Sequence, residues 1–180
     1  LALGQDASAA GISSVALGYN ASATKDFSVA LGRFASAAGD TSVALGRNAS
    51  AEDYSVALGK ASATGNYCVA LGYDASATDN FSVALGRNAS ATLNSSVALG
   101  AYTSAGDYYS VALGAYTSAG DYSVALGYNV SAAGDYSVAL GFDTSAQNTN
   151  EGILGGTGSY RTSKWKVPGD FTVSGTKNFE

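Results

Sequence analysis

The string Ser-Val-Ala-Leu-Gly returns along this chain at a nearly constant interval, and that interval limits the architecture more than any other feature. Val15, Val29 and Val43 lead copies spaced 14 residues apart. Val56, Val69, Val83, Val97, Val111, Val124 and Val138 fill the same slot, with Leu1 one period before and Gly152 one period after. A period this short holds neither a helical repeat nor a propeller blade. It fits one coil of a parallel β-solenoid, a unit that cannot bury its own apolar face and must stack on neighbours.

Residues 15–28 show how one coil is built. Ser14-Val15-Ala16-Leu17 and Ala21-Ser22-Ala23 alternate as short strands do, so Val15 and Leu17 share one face while Ser14 and Ala16 share the other. Gly18 ends the first strand at a tight corner. Turn formers make the second corner: Lys25-Asp26 here, Gly39-Asp40, Gly106-Asp107, Gly120-Asp121 and Gly134-Asp135 elsewhere. An amphipathic helix is excluded, because apolar residues recur every second position and each period carries a glycine. Each coil is therefore read as two strands and two corners in a flattened roll. At about 4.8 Å per coil, some eleven coils make a rod of about 50 Å.

The interval shortens to 13 residues from Val43 to Val56, from Val56 to Val69 and from Val111 to Val124. The first loss falls after Ala51 in the second corner, and the next between Gly59 and Ala61 in the first corner. Corners tolerate such deletions; strands do not, because a one-residue slip turns every side chain to the wrong face.

Composition removes several functions. The 180 residues are 13% charged, against roughly a quarter in typical domains, with net charge −5. That balance argues against nucleic acid, which requires clustered Lys and Arg. No His is present, which removes the commonest general base and metal ligand, and the single Cys68 excludes an internal disulfide framework. The chain is read as no enzyme, with no cofactor and no metal site. No apolar run reaches membrane-spanning length and no signal peptide is seen. The start without Met reads as a processed protein or an excised piece, with any anchor outside these residues.

Ala16, Ala30, Ala44, Ala57, Ala70, Ala84, Ala98, Ala112, Ala125 and Ala139 form a ladder opposite the Val/Leu ladder. With Val and Leu assigned to the interior, this Ala stripe faces outward and admits a second backbone closely. With Val and Leu outward, the apolar stripe exceeds what a soluble monomer exposes. Both arrangements favour self-association through this strand. The first makes the alanines, with Cys68 on their face by parity, the trimer-interface candidates.

Ser-Val-Ala-Leu-Gly followed by x-x-Ala-Ser-Ala resembles the head repeat of YadA-type trimeric autotransporter adhesins over roughly residues 1–155. The resemblance implies an all-β, left-handed parallel β-roll packed as a homotrimer. It implies a rigid, extracellular, surface-displayed head that binds a host matrix protein, cell-surface glycan or receptor, anchored to a bacterial outer membrane through other regions.

Residues 156–180 are read as a separate C-terminal cap or linker. They hold Trp165 and Pro168, and Val173 to Phe179 resembles a linker of phage-type tail fibres. That likeness implies the alternative carrier: a fibre of a virion or contractile injection particle. A spacer in a fibre shaft and an ice-binding solenoid, the latter from the outward serine ladder Ser8 to Ser145, are further alternatives.

Two aromatic columns stand out. Phe27, Tyr54, Tyr67, Phe81, Tyr109, Tyr122 and Tyr136 each precede a repeat valine by two residues, as a stacked ladder or a binding stripe. Tyr19, Tyr73, Tyr128 and Phe142 share a corner column with Arg33, Arg47, Lys60 and Arg87, and these eight are the ligand-contact candidates. The Asp26, Asp40, Asp53, Asp107, Asp121 and Asp135 column is read as turn-closing rather than cation-binding.

Overall fold

A computed structural model describes residues 1–155 of the chain, and the segment read as a cap or linker lies outside them. The described residues form a parallel β-solenoid of short strands and contain no helix. A typical coil has a first strand such as Val15–Leu17 and a second such as Ser22–Ala23. Each strand pairs in register with its counterpart one coil on: Val15 with Val29, Ala16 with Ala30, Ser22 with Ser36. The backbone ladder runs through the corners as well, with Gly32 N–H donating to Leu17 O at 2.8 Å and Phe34 N–H to Tyr19 O at 2.9 Å. Parallel pairing carried through strands and corners alike is what allows so thin a unit to persist.

Both corners place a residue in the left-handed region, Asn20 (φ 51°) in the first and Phe27 (φ 56°) in the second. Asn and Asp reach this region more readily than other side chains. They hold the first corner at Asn20, Asn48, Asp74, Asn88, Asn129 and Asp143. Gly32 opens the first corner at φ 135°, and a Cβ there would overlap the Gly46 carbonyl of the next coil. Only glycine meets both demands.

The 13-residue coils shorten at corners, as the spacing predicts. At Lys60 the first corner disappears and a continuous strand runs Val56–Ala63. Its pairing with Val69–Ala77 shifts between Tyr73 and Ser76, where the missing residue is absorbed. Strand register on either side is kept.

The assignment of Val and Leu to the interior is corrected. Ser14, Ala16, Ala21 and Ala23 point inward, and this set of small residues repeats along the roll. The expected trimer-interface ladder of Ala16, Ala30, Ala44, Ala57, Cys68, Ala70, Ala84, Ala98, Ala112, Ala125 and Ala139 is completely enclosed within one chain. It offers nothing to a second chain, and copies of Cys68 do not approach one another through it. Val and Leu stand outside as a half-buried stripe, with Leu126 at 44% and Val138 at 38% exposure within the roll and Leu3 at 70% in its end coil. The reason is steric. Two tight corners per coil leave a gap that methyl and hydroxyl groups fill between the strands, and a γ-branched side chain has no volume there. Val130, at a first corner, is the largest side chain the interior fully encloses among the described residues.

The inward serines are polar but satisfied. Ser42 Oγ donates to Gly39 O at 2.6 Å and Ser96 Oγ to Leu93 O at 2.6 Å, each closing the second corner. Cys68 takes this slot, with Sγ 2.9 Å from Asp79 O. Thr103 does the same for the first corner, donating to Gly100 O at 2.9 Å.

Ala84→Leu should cost about 1–3 kcal/mol by overpacking. Ser36→Leu, on the outer face of a second strand, should stay within about 0.5 kcal/mol. Urea denaturation of both variants checks this; equal costs would contradict the narrow interior.

Candidate functional site

With both sheets filled by alanine inside, the chemistry lies on four outer surfaces: two faces and two edges. The first-strand face is the Val/Leu stripe. The second-strand face carries Ser22, Ser36, Ser50 and their equivalents, half-buried and in a row. Thr78 Oγ1 and Thr92 Oγ1 beside them donate to the backbone of the next coil at 2.8 and 2.6 Å. Those hydroxyls are committed to holding coils together.

The first-corner edge brings together the eight predicted contact residues. Tyr19, Arg33, Arg47, Lys60, Tyr73, Arg87, Tyr128 and Phe142 are all exposed and stand in one column. Within the column cations lie over rings: Arg33 over Phe34 at 4.8 Å, Lys60 over Tyr73 at 4.9 Å, Arg87 over Tyr102 at 5.3 Å. Such contacts contribute about 0.5–1 kcal/mol at exposed sites and fix side chains that would otherwise roam. Tyr128 stacks on Phe142 with centroids 5.3 Å apart.

Sequence reasoning missed Phe34, Tyr102 and Tyr116, which belong to the same edge. They occupy the slot that Asn20, Asn48 and Asn88 fill in other coils, so the column looked like turn residues. Tyr102 and Tyr116 stack at 5.3 Å with planes 2° apart, and Phe34 meets Tyr19 edge-on at 5.4 Å. The signal was available as an aromatic at the left-handed position, which needs a reason beyond turn formation.

Where the first corner is shortened, a notch opens, lined by Asn48, Lys60, Ser62, Asp74 and Ser76. Lys60 Nζ lies 2.6 Å from Asp74 Oδ1, both well exposed. This hydrogen bond raises the lysine pKa, with desolvation opposing it.

The second-corner edge carries the other ladder. Tyr54, Tyr67 and Phe81 stack at 4.9 and 5.2 Å, and Tyr109, Tyr122 and Tyr136 at 5.5 and 4.9 Å. The rings stack along the roll and also stay exposed, between 47% and 57%. Stabilisation and display are therefore not alternatives here.

The aspartates at this corner do more than close their own turns. Asp26 accepts the N–H of Ile12 at 2.7 Å and Asp53 that of Asp40 at 2.8 Å, each reaching back one coil. Asn80 does this for Asn66 at 2.9 Å. Among the described residues no cluster of metal-ligating side chains forms. Near the C-terminal end the pattern becomes repulsive: burial first, then the charges of Asp121 and Asp135, raise the pKa of Asp107. Glu151 shows the reverse, lowered by backbone N–H groups of Asn148 and Gln147.

This architecture defines a class, the stacked β-roll that presents repeated side chains along its edges. A family model described as the YadA head domain repeat matches residues 1–21, 9–35, 23–49, 37–62, 63–89, 91–117 and 118–144, and the chain belongs to that family. Its repeats are those of an adhesin head, a class that is extracellular and surface-displayed. Among solved structures, the collagen-binding domain of the Yersinia adhesin YadA is similar at 26% identity and a TM-score of 0.48, covering 92% of this chain and 78% of that one. No curated protein matches the chain.

The raised pKa of Asp107 fixes a sign. Folding favours its protonated form, so its contribution is fully present below the unfolded pKa and is lost as pH rises through the folded one. Asp107→Asn should therefore melt at a higher temperature than the native chain at pH 7. The difference should vanish below about pH 3, where the native carboxyl is also neutral. Thermal melts at the two pH values check this.

Proposed function

We propose that the roll is one protomer of a homotrimeric adhesin head and that it holds a host matrix protein or cell-surface glycan along its first-corner edge. The observation that carries the reading is the Val/Leu stripe, which runs the length of the roll on its outer side. Val29, Leu31, Val43 and Leu45 are half-buried in a single chain and have no overlying layer among the described residues. A stripe two side chains wide and some eleven coils long is more apolar surface than a soluble monomer leaves uncovered. Packing three such stripes about an axis buries them and leaves the second-corner and first-corner edges outward.

On that arrangement Tyr19, Arg33, Arg47, Lys60, Tyr73, Arg87, Tyr128 and Phe142 are the contacts. Each coil supplies one weak contact of similar chemistry, and three edges act together, so strength comes from multivalency. The cation–ring pairs keep the arginines extended and reduce the ordering cost of binding.

The test is retention of the chain on surfaces coated with matrix proteins, collagen among them, and on a glycan array. Leu58→Glu with Leu85→Glu should disassemble the trimer and lower retention by about 100-fold or more through lost multivalency. Replacing Arg33, Arg47, Lys60 and Arg87 by Gln should abolish retention while leaving the assembled mass unchanged. Undiminished retention in both variants would contradict the proposal.

A further inference from the structure

The Tyr-rich second-corner edge near the C-terminal end of the roll is not used by the reading above. Three turns line it: Asp107-Tyr108-Tyr109, Asp121-Tyr122 and Asp135-Tyr136. Tyr108, Tyr109, Tyr122 and Tyr136 are exposed at 45%, 56%, 47% and 57%. Tyr109, Tyr122 and Tyr136 sit in the left-handed region at φ 50°, 52° and 55°. That is a poor position for an aromatic residue, and Asn150 fills the equivalent slot of the following coil more cheaply. Stacking at 5.5 and 4.9 Å offsets part of that cost and still leaves each ring about half exposed.

The chain also shows what its ring columns accept. In the N-terminal coils Arg33, Lys60 and Arg87 lie over rings at the first corner. Between Arg87 and Arg161 the sequence holds no Lys or Arg at all. The tyrosine column of this second corner therefore stands beside a row of carboxylates in a stretch that brings no cation of its own. Asp121 accepts one backbone N–H, from Tyr108 at 3.1 Å. Burial first, and then the charges of Asp121 and Asp135, raise the pKa of Asp107, so the three carboxylates stand close enough to feel one another.

We infer that this edge docks an arginine- or lysine-rich peptide segment of a partner protein, cationic groups lying between the tyrosine rings and the Asp107, Asp121 and Asp135 carboxylates. Charge complementarity selects the sign, and the rings select a flat cation, so arginine is preferred to lysine. Two coil rises span about 10 Å, the length of some three extended residues, so a motif as short as Arg-x-Arg bridges the site. The inference deepens the adhesin reading and rests on it, by naming the chemistry of one ligand.

Fluorescence anisotropy of the full chain with labelled nona-arginine, nona-lysine and nona-glutamate tests it. Nona-arginine should bind best and nona-glutamate not at all. Asp107→Asn, Asp121→Asn and Asp135→Asn combined should weaken binding by about tenfold or more. Asn already serves the Asp121 and Asp135 slot at Asn66 and Asn80, and the Asp107 slot takes Gly65 and Leu93 in other coils, so the turns should be kept. Tyr122→Asn with Tyr136→Asn leaves the charge unchanged and should weaken nona-arginine binding about fivefold or more. Undiminished binding in either set overturns the inference, the second by reducing it to net charge. A gain of about tenfold on replacing Arg161, Lys164 and Lys166 by Gln would overturn it too, making the chain's own C-terminal segment the occupant. Light scattering on the same samples separates the two readings. A trimer that ignores nona-arginine sinks only this inference, and a monomer that binds it sinks only the trimer.

Discussion

Everything in this roll follows from the thickness of its interior. A 13- or 14-residue coil with two tight corners leaves only two short strands, and the interior between them is one that the smallest side chains fill. Methyl and hydroxyl groups fill that gap completely: Ala16, Ala21 and Ala23 with Ser28, then Ala30, Ala35 and Ala37 with Ser42. Alanine buries little area, so the hydrophobic gain per coil is modest. The continuous backbone ladder and the stacked corner side chains carry a correspondingly larger share. Gly32 and its equivalents extend the constraint along the roll, since coil stacking leaves no room for a Cβ at that corner.

A core of small residues forces the large ones outward, and the outer surfaces then divide by chemistry. One face is Val and Leu, one is Ser and Thr, and both edges alternate aromatic with charged residues. The hydroxyl face spends part of its hydrogen-bonding capacity on adjacent coils. On the proposed reading the apolar face gives an assembly its contact surface and the edges remain for ligands. Fold, assembly and binding then fall on different columns of one repeat.

Much of this was legible in the repeat itself. The coil length, both strands, both corners and the placing of the deletion at Lys60 follow from spacing and parity. Parity also grouped Ser14 with Ala16 and Val15 with Leu17 correctly. What parity cannot supply is which group faces inward. The usual ranking of residues by burial puts Val and Leu inside, and it fails here because it assumes an interior wide enough to hold them. The eight first-corner candidates could be grouped because they share a position after the repeat glycine, whereas Phe34, Tyr102 and Tyr116 were hidden in a slot dominated by Asn. The reach of Asp26 and Asp53 to a neighbouring coil was also invisible, since a turn-forming aspartate looks alike in either role.

The central claim is that a narrow alanine interior leaves the Val/Leu stripe outside to be covered by other copies of the chain. Sedimentation equilibrium of the purified chain across micromolar concentrations tests this most directly. A single species at three times the 17.9 kDa chain mass is the predicted result. A soluble monomer that stays monomeric throughout would contradict it, because the stripe would then be stable in water uncovered.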